Sequence, residues 1–113
     1  MLVLTRSRGK GVVISHNGSI YDLMLIQVYH SHKIKLKITK RNEDIKKNYK
    51  LRINDEIKVD DEDIQDLTIK NLGAYGKYGV RIGFDAPREI IINRSEVYDR
   101  ILKEGKKVDR QIN

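Results

Sequence analysis

The sequence predicts a mostly β domain that ends in one α-helix. Residues 33–38 alternate lysine with aliphatic side chains, and short apolar runs recur between turn signals such as Asn17-Gly18, so strands are expected. Residues 97–102 instead place apolar side chains at helical spacing. With 113 residues and no cysteine, the chain fits one domain without disulfides.

The first third of the chain predicts four strands. Residues 1–6 suit a strand that is covered on both faces, and residues 7–11, with two glycines, suit a turn. Residues 12–15 predict a short strand that ends at a turn. The runs at 20–29 and 34–39 are then expected to form a hairpin.

The middle of the chain gives weaker signals. Residues 40–50 carry seven charges and no strong apolar period, which predicts a loop or one or two turns of helix. Residues 51–53 and 56–59 flank Asn54-Asp55, so we expect a hairpin-like break there.

The last strands and the helix have clearer boundaries. Residues 66–74 and 78–84 predict a strand pair around a glycine-rich turn, Pro87 a further turn, and residues 88–93 the last strand. The single domain is therefore expected to cover residues 1–105.

The helix is expected to start from a capping box, in which Asn93 caps the first turn and Glu96 lies three residues later. Gly105 marks its end, and residues 106–113 are expected to form a flexible tail.

The charge distribution favours an anionic partner. The net charge is +7, and seven of the sixteen acidic residues lie within residues 55–66, which leaves both flanks more basic. Nucleic acid is the leading partner class, followed by an acidic membrane surface. No apolar run approaches the roughly 20 residues of a spanning helix, and no signal peptide is recognisable. We therefore expect a cytoplasmic protein.

Two arginine-containing stretches are the best candidates for binding that partner. If residues 88–94 are extended, Arg88, Ile90, Ile92 and Arg94 share one face, and Arg94 reaches the positive end of the helix dipole. Leu4 and Arg6 similarly share a face of the first strand. Ile90 and Ile92 could support a splayed base, but the same pattern fits a core strand whose end arginines merely reach water.

Other constellations favour ordinary structural roles. His30 and His32 lack a third ligand nearby, and the acidic residues 60–63 lack the spacing of a calcium loop, so no metal or cofactor is expected. Tyr75 and Tyr78 could stack bases or simply cover a hairpin end. No nucleophile or phosphate-binding loop is recognisable, so the chain is not expected to be an enzyme.

A weak internal similarity leaves duplication open. Residues 12–15 leading into 20–28 resemble residues 51–54 leading into 56–72. Hairpins often look alike by chance.

Three stretches together are similar to a known family. They are the opening residues 1–6, MLVLTR, with Gly9 and Ile14 behind them, residues 79–89, GVRIGFDAPRE, and residues 93–101, NRSEVYDRI. These stretches resemble the carbon storage regulator (CsrA) family of bacterial translational regulators.

The resemblance implies an intertwined antiparallel homodimer in which the first strand of one protomer lies near the last strand of the other. It also implies binding of GGA-containing loops in messenger RNA leaders or small regulatory RNA, with no DNA or membrane partner and with an effect on translation or message stability. Unstacked loop bases expose edges that a duplex hides. The RNA-contacting positions carried over from the family are Leu4, Thr5, Arg6, Ala86, Pro87, Arg88, Ile90, Ile92, Asn93 and Arg94.

The chain departs from the family in two places. Arg6 is followed by Ser7 rather than by a second basic residue, and the family's short turn is replaced by an insertion of about 16–65 that contains an extra β-hairpin region. This insertion could cap the sheet, change the dimer or block an RNA site. The alternative function is therefore a protein-interaction module or antagonist that pairs with other family members or a protein partner through the insertion.

Overall fold

A computed structural model describes residues 1–60, 62–77 and 79–104, which form nine β-strands followed by one α-helix. The predicted fold class, mostly β with a single C-terminal helix, is confirmed. The elements are β1 (Leu2–Arg6), β2 (Gly11–His16), β3 (Ser19–Val28), β4 (Ile34–Lys40), β5 (Ile45–Leu51), β6 (Glu56–Val59), β7 (Leu67–Tyr75), β8 (Gly79–Asp85), β9 (Ile91–Arg94) and α1 (Ser95–Lys103).

The strands form two antiparallel sheets. One sheet has four strands in the order β1-β8-β7-β6, and the other has five in the order β5-β4-β3-β2-β9. Each sheet therefore combines strands from both ends of the chain. β1 and β9, the first and last strands, are the outermost strands of different sheets.

The core lies between the two sheets. Alternate side chains of β1 and β8, including Leu4 and Phe84, belong to the same buried cluster as Ile14 of β2 and Leu36 of β4. This arrangement follows from strand geometry, because residues two apart share a face. Apolar residues at alternate positions of both sheets thus build a single core.

Both predicted strand pairs are confirmed. β3 pairs with β4, and β7 pairs with β8. The Asn17-Gly18 turn also joins β2 to β3 as expected, with both residues at positive φ, 51° and 80°.

The prediction for the middle of the chain was wrong. Residues 45–51 form β5 rather than a loop or helix, and β5 pairs with β4 while β6 pairs with β7, so Asn54-Asp55 does not connect a hairpin. β5 is an edge strand with most side chains exposed, which removes the apolar alternation that marks a strand in a sequence. Residues 16–65, the expected insertion, contain all of β3 to β6 and contribute to both sheets.

The expected capping box is not formed. Arg94 occupies the N-cap position, and since a guanidinium has no hydrogen-bond acceptor, no side chain caps the helix; Glu96 instead accepts hydrogen bonds from Arg6. The last strand starts at Ile91 rather than at Arg88, since a turn closed by the Ile90 N–H and the Pro87 carbonyl (3.1 Å) precedes it. The predicted helix end at Gly105, the predicted tail and the side chains of Tyr75 and Tyr78 lie outside the described residues.

Asn71 connects three parts of the molecule from a fully buried position. Its side-chain amide donates hydrogen bonds to the carbonyls of His32 and Leu51, both 3.0 Å, and its side-chain oxygen accepts one from the Gly73 N–H at 2.9 Å. The last bond spans a β-bulge in the β7–β8 pairing. One side chain therefore ties β7 to the other sheet.

We expect Asn71→Ala to destabilise the fold by roughly 1–3 kcal/mol for each buried group that it leaves without a partner. Urea unfolding of Asn71→Ala and of Asn48→Ala, which truncates an exposed asparagine on β5, measures the difference. Equal losses in the two variants would show that the Asn71 bonds do not stabilise the fold.

Candidate nucleic-acid interface

The two candidate segments meet at one corner of the molecule, although their strands do not pair with each other. β1 pairs with β8 and β9 pairs with β2. The Met1 amine lies 3.8 Å from Asp85, where the chain leaves β8 for β9, and Arg6 contacts Glu96, two residues beyond β9. β1 and β9 therefore follow the same corner, from residues 86–90 toward α1.

Arg6 holds this corner together. Its side chain is 8% exposed, and its guanidinium donates to both oxygens of Glu96 at 2.7 and 2.9 Å. It also donates to the carbonyls of Thr5 at 2.9 Å and Gly11 at 3.1 Å. Four of the five N–H donors of an arginine are thus used within the chain. We call this set of contacts the Arg6 clamp.

The Arg6 clamp also determines the charge state of Glu96. The hydrogen bonds from Arg6 are the main reason that the pKa of Glu96 falls from its ordinary 4.5 to about 2, and the charge of nearby Lys10 acts in the same direction. The carboxylate lies in the first turn of α1, where the helix dipole favours a negative charge. Glu96 is therefore ionised at neutral pH.

Gly11 allows β2 to approach the helix. A Cβ atom at this position would lie 2.8 Å from both the Leu23 carbonyl oxygen and the Ser95 hydroxyl. Sequence reasoning assigned Gly11 only to a turn and used Glu96 only as a cap. A glycine at the start of an apolar strand was the available signal for close backbone packing.

The candidate residues differ in exposure. The side chains of Leu4, Ile90 and Ile92 are almost completely buried and belong to the core beneath the corner, so Ile90 and Ile92 do not expose a surface on which a splayed base could rest. The exposure of the other candidates ranges from buried (Arg6 and Asn93) through half-buried (Thr5, Ala86, Pro87 and Arg94) to exposed (Arg88). Arg88 lies in the turn before β9, so it does not share a strand face with Ile92.

Basic residues surround this corner. Arg8 and Lys10 are exposed in the turn after β1, while Arg88 precedes β9 and Arg94 is its last residue. A groove of about 580 Å³ lies beside that turn. Its lining consists of Ser7, Arg8, Gln27, Val28, Tyr29, His30, His32, Ala74, Gly76, Lys77 and Gly79. This basic surface is suited to an anionic polymer.

The acidic segment borders the 86–90 turn. Glu62, Asp63 and Asp66 line a cavity of about 310 Å³ together with Pro87 and Glu89. Hydrogen bonds from Ser19 (2.6 Å) and Lys40 (3.0 Å) hold Asp63 against the five-stranded sheet and lower its pKa. A polyanion is repelled there, so the basic corner is its favourable approach.

Neither a metal site nor a membrane span is found in the described part of the chain. No group of three or more histidine, aspartate or glutamate side chains there could hold a metal ion. No helix in the same residues is long and apolar enough to cross a membrane.

Comparison with known families gives a match to the second part of the chain, which includes β9 and α1 but not β1. The model of CsrA, the global regulator protein family, matches residues 44–103, more than half of the chain. The chain belongs to the CsrA family. CsrA proteins are RNA-binding post-transcriptional regulators and not a family of enzymes. No solved structure matches the chain.

The CsrA match coincides with a structural unit. It begins at the turn before β5 and ends at the last residue of α1, so it includes residues 44–65, which we expected to belong to the insertion. β5 and β6 are therefore part of the family's own module.

The Arg6 clamp makes stability depend on pH. A carboxyl whose pKa is lower in the folded state stabilises the fold fully above its ordinary pKa and loses this effect as pH falls through its folded pKa. We expect the stability difference between the wild type and Glu96→Gln to be largest above pH 4.5 and to shrink between 4.5 and about 2.

Urea unfolding between neutral and acidic pH measures this difference. Glu56→Gln removes an exposed carboxylate from β6 and is the control. A wild-type advantage over Glu96→Gln that is independent of pH would show that ionised Glu96 does not stabilise the fold.

Proposed function

We propose that the chain binds single-stranded GGA-containing loops, in messenger RNA leaders or small regulatory RNA, and thereby modulates translation or message stability. Membership in the CsrA family supports RNA as the ligand class. The observation that carries the proposal is the corner itself, where the Arg6 clamp joins the edge strand β1 to the start of α1, directly after the edge strand β9, and basic residues surround it.

Main-chain groups are the proposed readers of the bases. An edge strand has one side whose N–H and C=O groups are not paired with a strand of its own sheet. β1 and β9 both have such a side. Unstacked loop bases can form hydrogen bonds with these groups through their exposed edges.

Phosphate contacts are assigned to the arginines that are accessible. Arg88 is exposed, and Arg94 is half-buried at the start of α1, where helix N–H groups and the dipole also favour anions. Arg6 was expected to hold a phosphate. Because most of its donors are used within the chain, we instead propose that it positions β1 beside α1.

The homodimer and the cytoplasmic location stay predictions. CsrA proteins form dimers in general. In this chain, however, each sheet already combines strands from both ends of the same chain.

A protein-interaction module remains the second candidate function. The observation in its favour is a groove of about 260 Å³ between β5 and β6, whose lining includes Ile45, Tyr49 and Val59. Three lysines and one aspartate also line this groove, so it offers apolar and charged contacts beside an edge strand, which suits a peptide strand. A regulator that acts through RNA does not need it.

We expect Arg88→Ala and Arg94→Ala each to weaken binding of a GGA hairpin by about 1–3 kcal/mol, because each removes one charged contact with the RNA. Fluorescence titration measures the affinities. Lys58→Ala, which removes an equal charge from β6 at the opposite edge of the four-stranded sheet, is the control and should bind nearly as the wild type does. Wild-type affinity in both arginine variants would contradict the assigned site.

Salt dependence distinguishes the two candidate functions. RNA binding through several phosphates should weaken steeply as salt rises, and Arg88→Ala should reduce the slope of log affinity against log salt by about one. A GGA hairpin that binds with no salt dependence, or no better than a hairpin without GGA, would contradict specific RNA binding and favour the protein-interaction module.

A further inference from the structure

The two sheets are related by an internal exchange of strands. If each of β1 to β4 is exchanged with the strand four places later, the order β1-β8-β7-β6 becomes β5-β4-β3-β2. This is the five-stranded sheet without β9. A twofold axis relates two copies of a motif in this way. We call β1–β4 the first half and β5–α1 the second half.

The residue register follows the same exchange. β1 and β8 pair Leu4 with Ile82, and their counterparts β5 and β4 pair Tyr49 with Leu36.

The other pairings agree. Val12 of β2 faces Leu23 of β3, as Ile57 of β6 faces Ile69 of β7. In this correspondence β2 matches β6, whereas the internal similarity in the sequence compared residues 12–15 with residues 51–54.

A β-bulge recurs at the corresponding position. The β3–β4 register shifts between Leu25 and Gln27, and the β7–β8 register shifts between Asn71 and Gly73. A bulge inserts a residue at one specific point of a ladder, so two hairpins do not share it merely because both are hairpins. The side chains at this point have diverged, since Asn71 forms hydrogen bonds where Leu25 is apolar.

The two halves differ in one respect. After β8, residues 86–104 contain β9 and α1, whereas residues 41–44 alone connect β4 to β5. The first half therefore has no room for a counterpart of β9 and α1. The CsrA match at 44–103 covers the second half and nothing of the first, in agreement with a complete and a shortened module.

The sequence at the second corner, the end of β5 that corresponds to the end of β1, agrees with the absence of a helix there. The counterpart of Arg6 on β5 is Leu51, which is 3% exposed. No helix can be supplied there by the first half, so a guanidinium would lack the carboxylate that Glu96 provides at the first corner. The groove between β5 and β6 lies at this second corner, and Val59, which lines it, is the counterpart of Ile14, the partner of Ile92 in β9.

We propose that one chain takes the place of two CsrA protomers and carries a single RNA-binding corner, formed by β1 of the first half and β9 of the second. The identity of the ligand as RNA rests on the proposed function, whereas the inference that one chain replaces two protomers does not. Such a chain binds one loop at a time and cannot bridge two loops through two equivalent sites.

Two measurements on the full chain test this proposal. Sedimentation equilibrium over a wide range of concentrations gives the mass of the free chain, and native mass spectrometry with excess GGA hairpin gives the number of RNA molecules bound. We expect a monomer that binds one RNA. A stable dimer overturns the proposal whether or not RNA binds, and a monomer with two RNA molecules overturns the single corner.

The failure of the proposed function has a different signature. A monomer that binds no hairpin refutes RNA binding and the single RNA corner together, while a dimer that binds RNA refutes only the internal replacement of a protomer.

Matched variants locate the bound RNA. Arg88→Ala should weaken the single complex, whereas Lys47→Ala on β5 at the second corner should leave both the count of one and most of the affinity unchanged. Loss of the complex only in Lys47→Ala would assign the RNA to the second corner and overturn the proposal.

Discussion

The rest of the structure depends on the bidentate ion pair between Arg6 and Glu96. It joins the end of β1 in one sheet to the start of α1 beyond the other sheet, and it does so from a largely buried guanidinium. An arginine buried without a partner would be costly, so each residue requires the other. The carbonyl of Gly11 completes the set and fixes the turn between β1 and β2. The corner is therefore a preformed part of the fold.

This clamp separates positioning from binding. β1 and β9 are both edge strands, and holding them along one corner leaves their outer main-chain groups directed away from their own sheets. Arg88 precedes β9 and Arg94 is its last residue, so both add positive charge at the corner, while a hydrogen bond from Ser19 holds Asp63 near the 86–90 turn. This distribution favours the approach of a polyanion at the basic corner rather than at the acidic cavity.

Local signals predicted the hairpins and the helix, because the residues that determine them are close in sequence; the turn at Asn17 is one example. The parity argument correctly placed Leu4 and Arg6 on one face of β1, but parity does not say which face is inside, and both proved to be buried. The partner of Arg6 lies ninety residues away and was out of reach of local patterns. β5 escaped prediction because its edge position exposes most of its side chains.

The two corners show how an ion pair can determine which side chain suits a position that recurs in two sheets with the same strand order. They share strand pairing and register, yet Arg6 occupies one and Leu51 the other. The difference follows from the helix, since a buried guanidinium is acceptable only where a carboxylate compensates its lost hydration. Where residues 41–44 turn directly into β5, an apolar side chain satisfies the same position at lower cost. The first corner therefore combines Arg6 with Glu96, whereas the corresponding position at the second corner, Leu51, is apolar and buried.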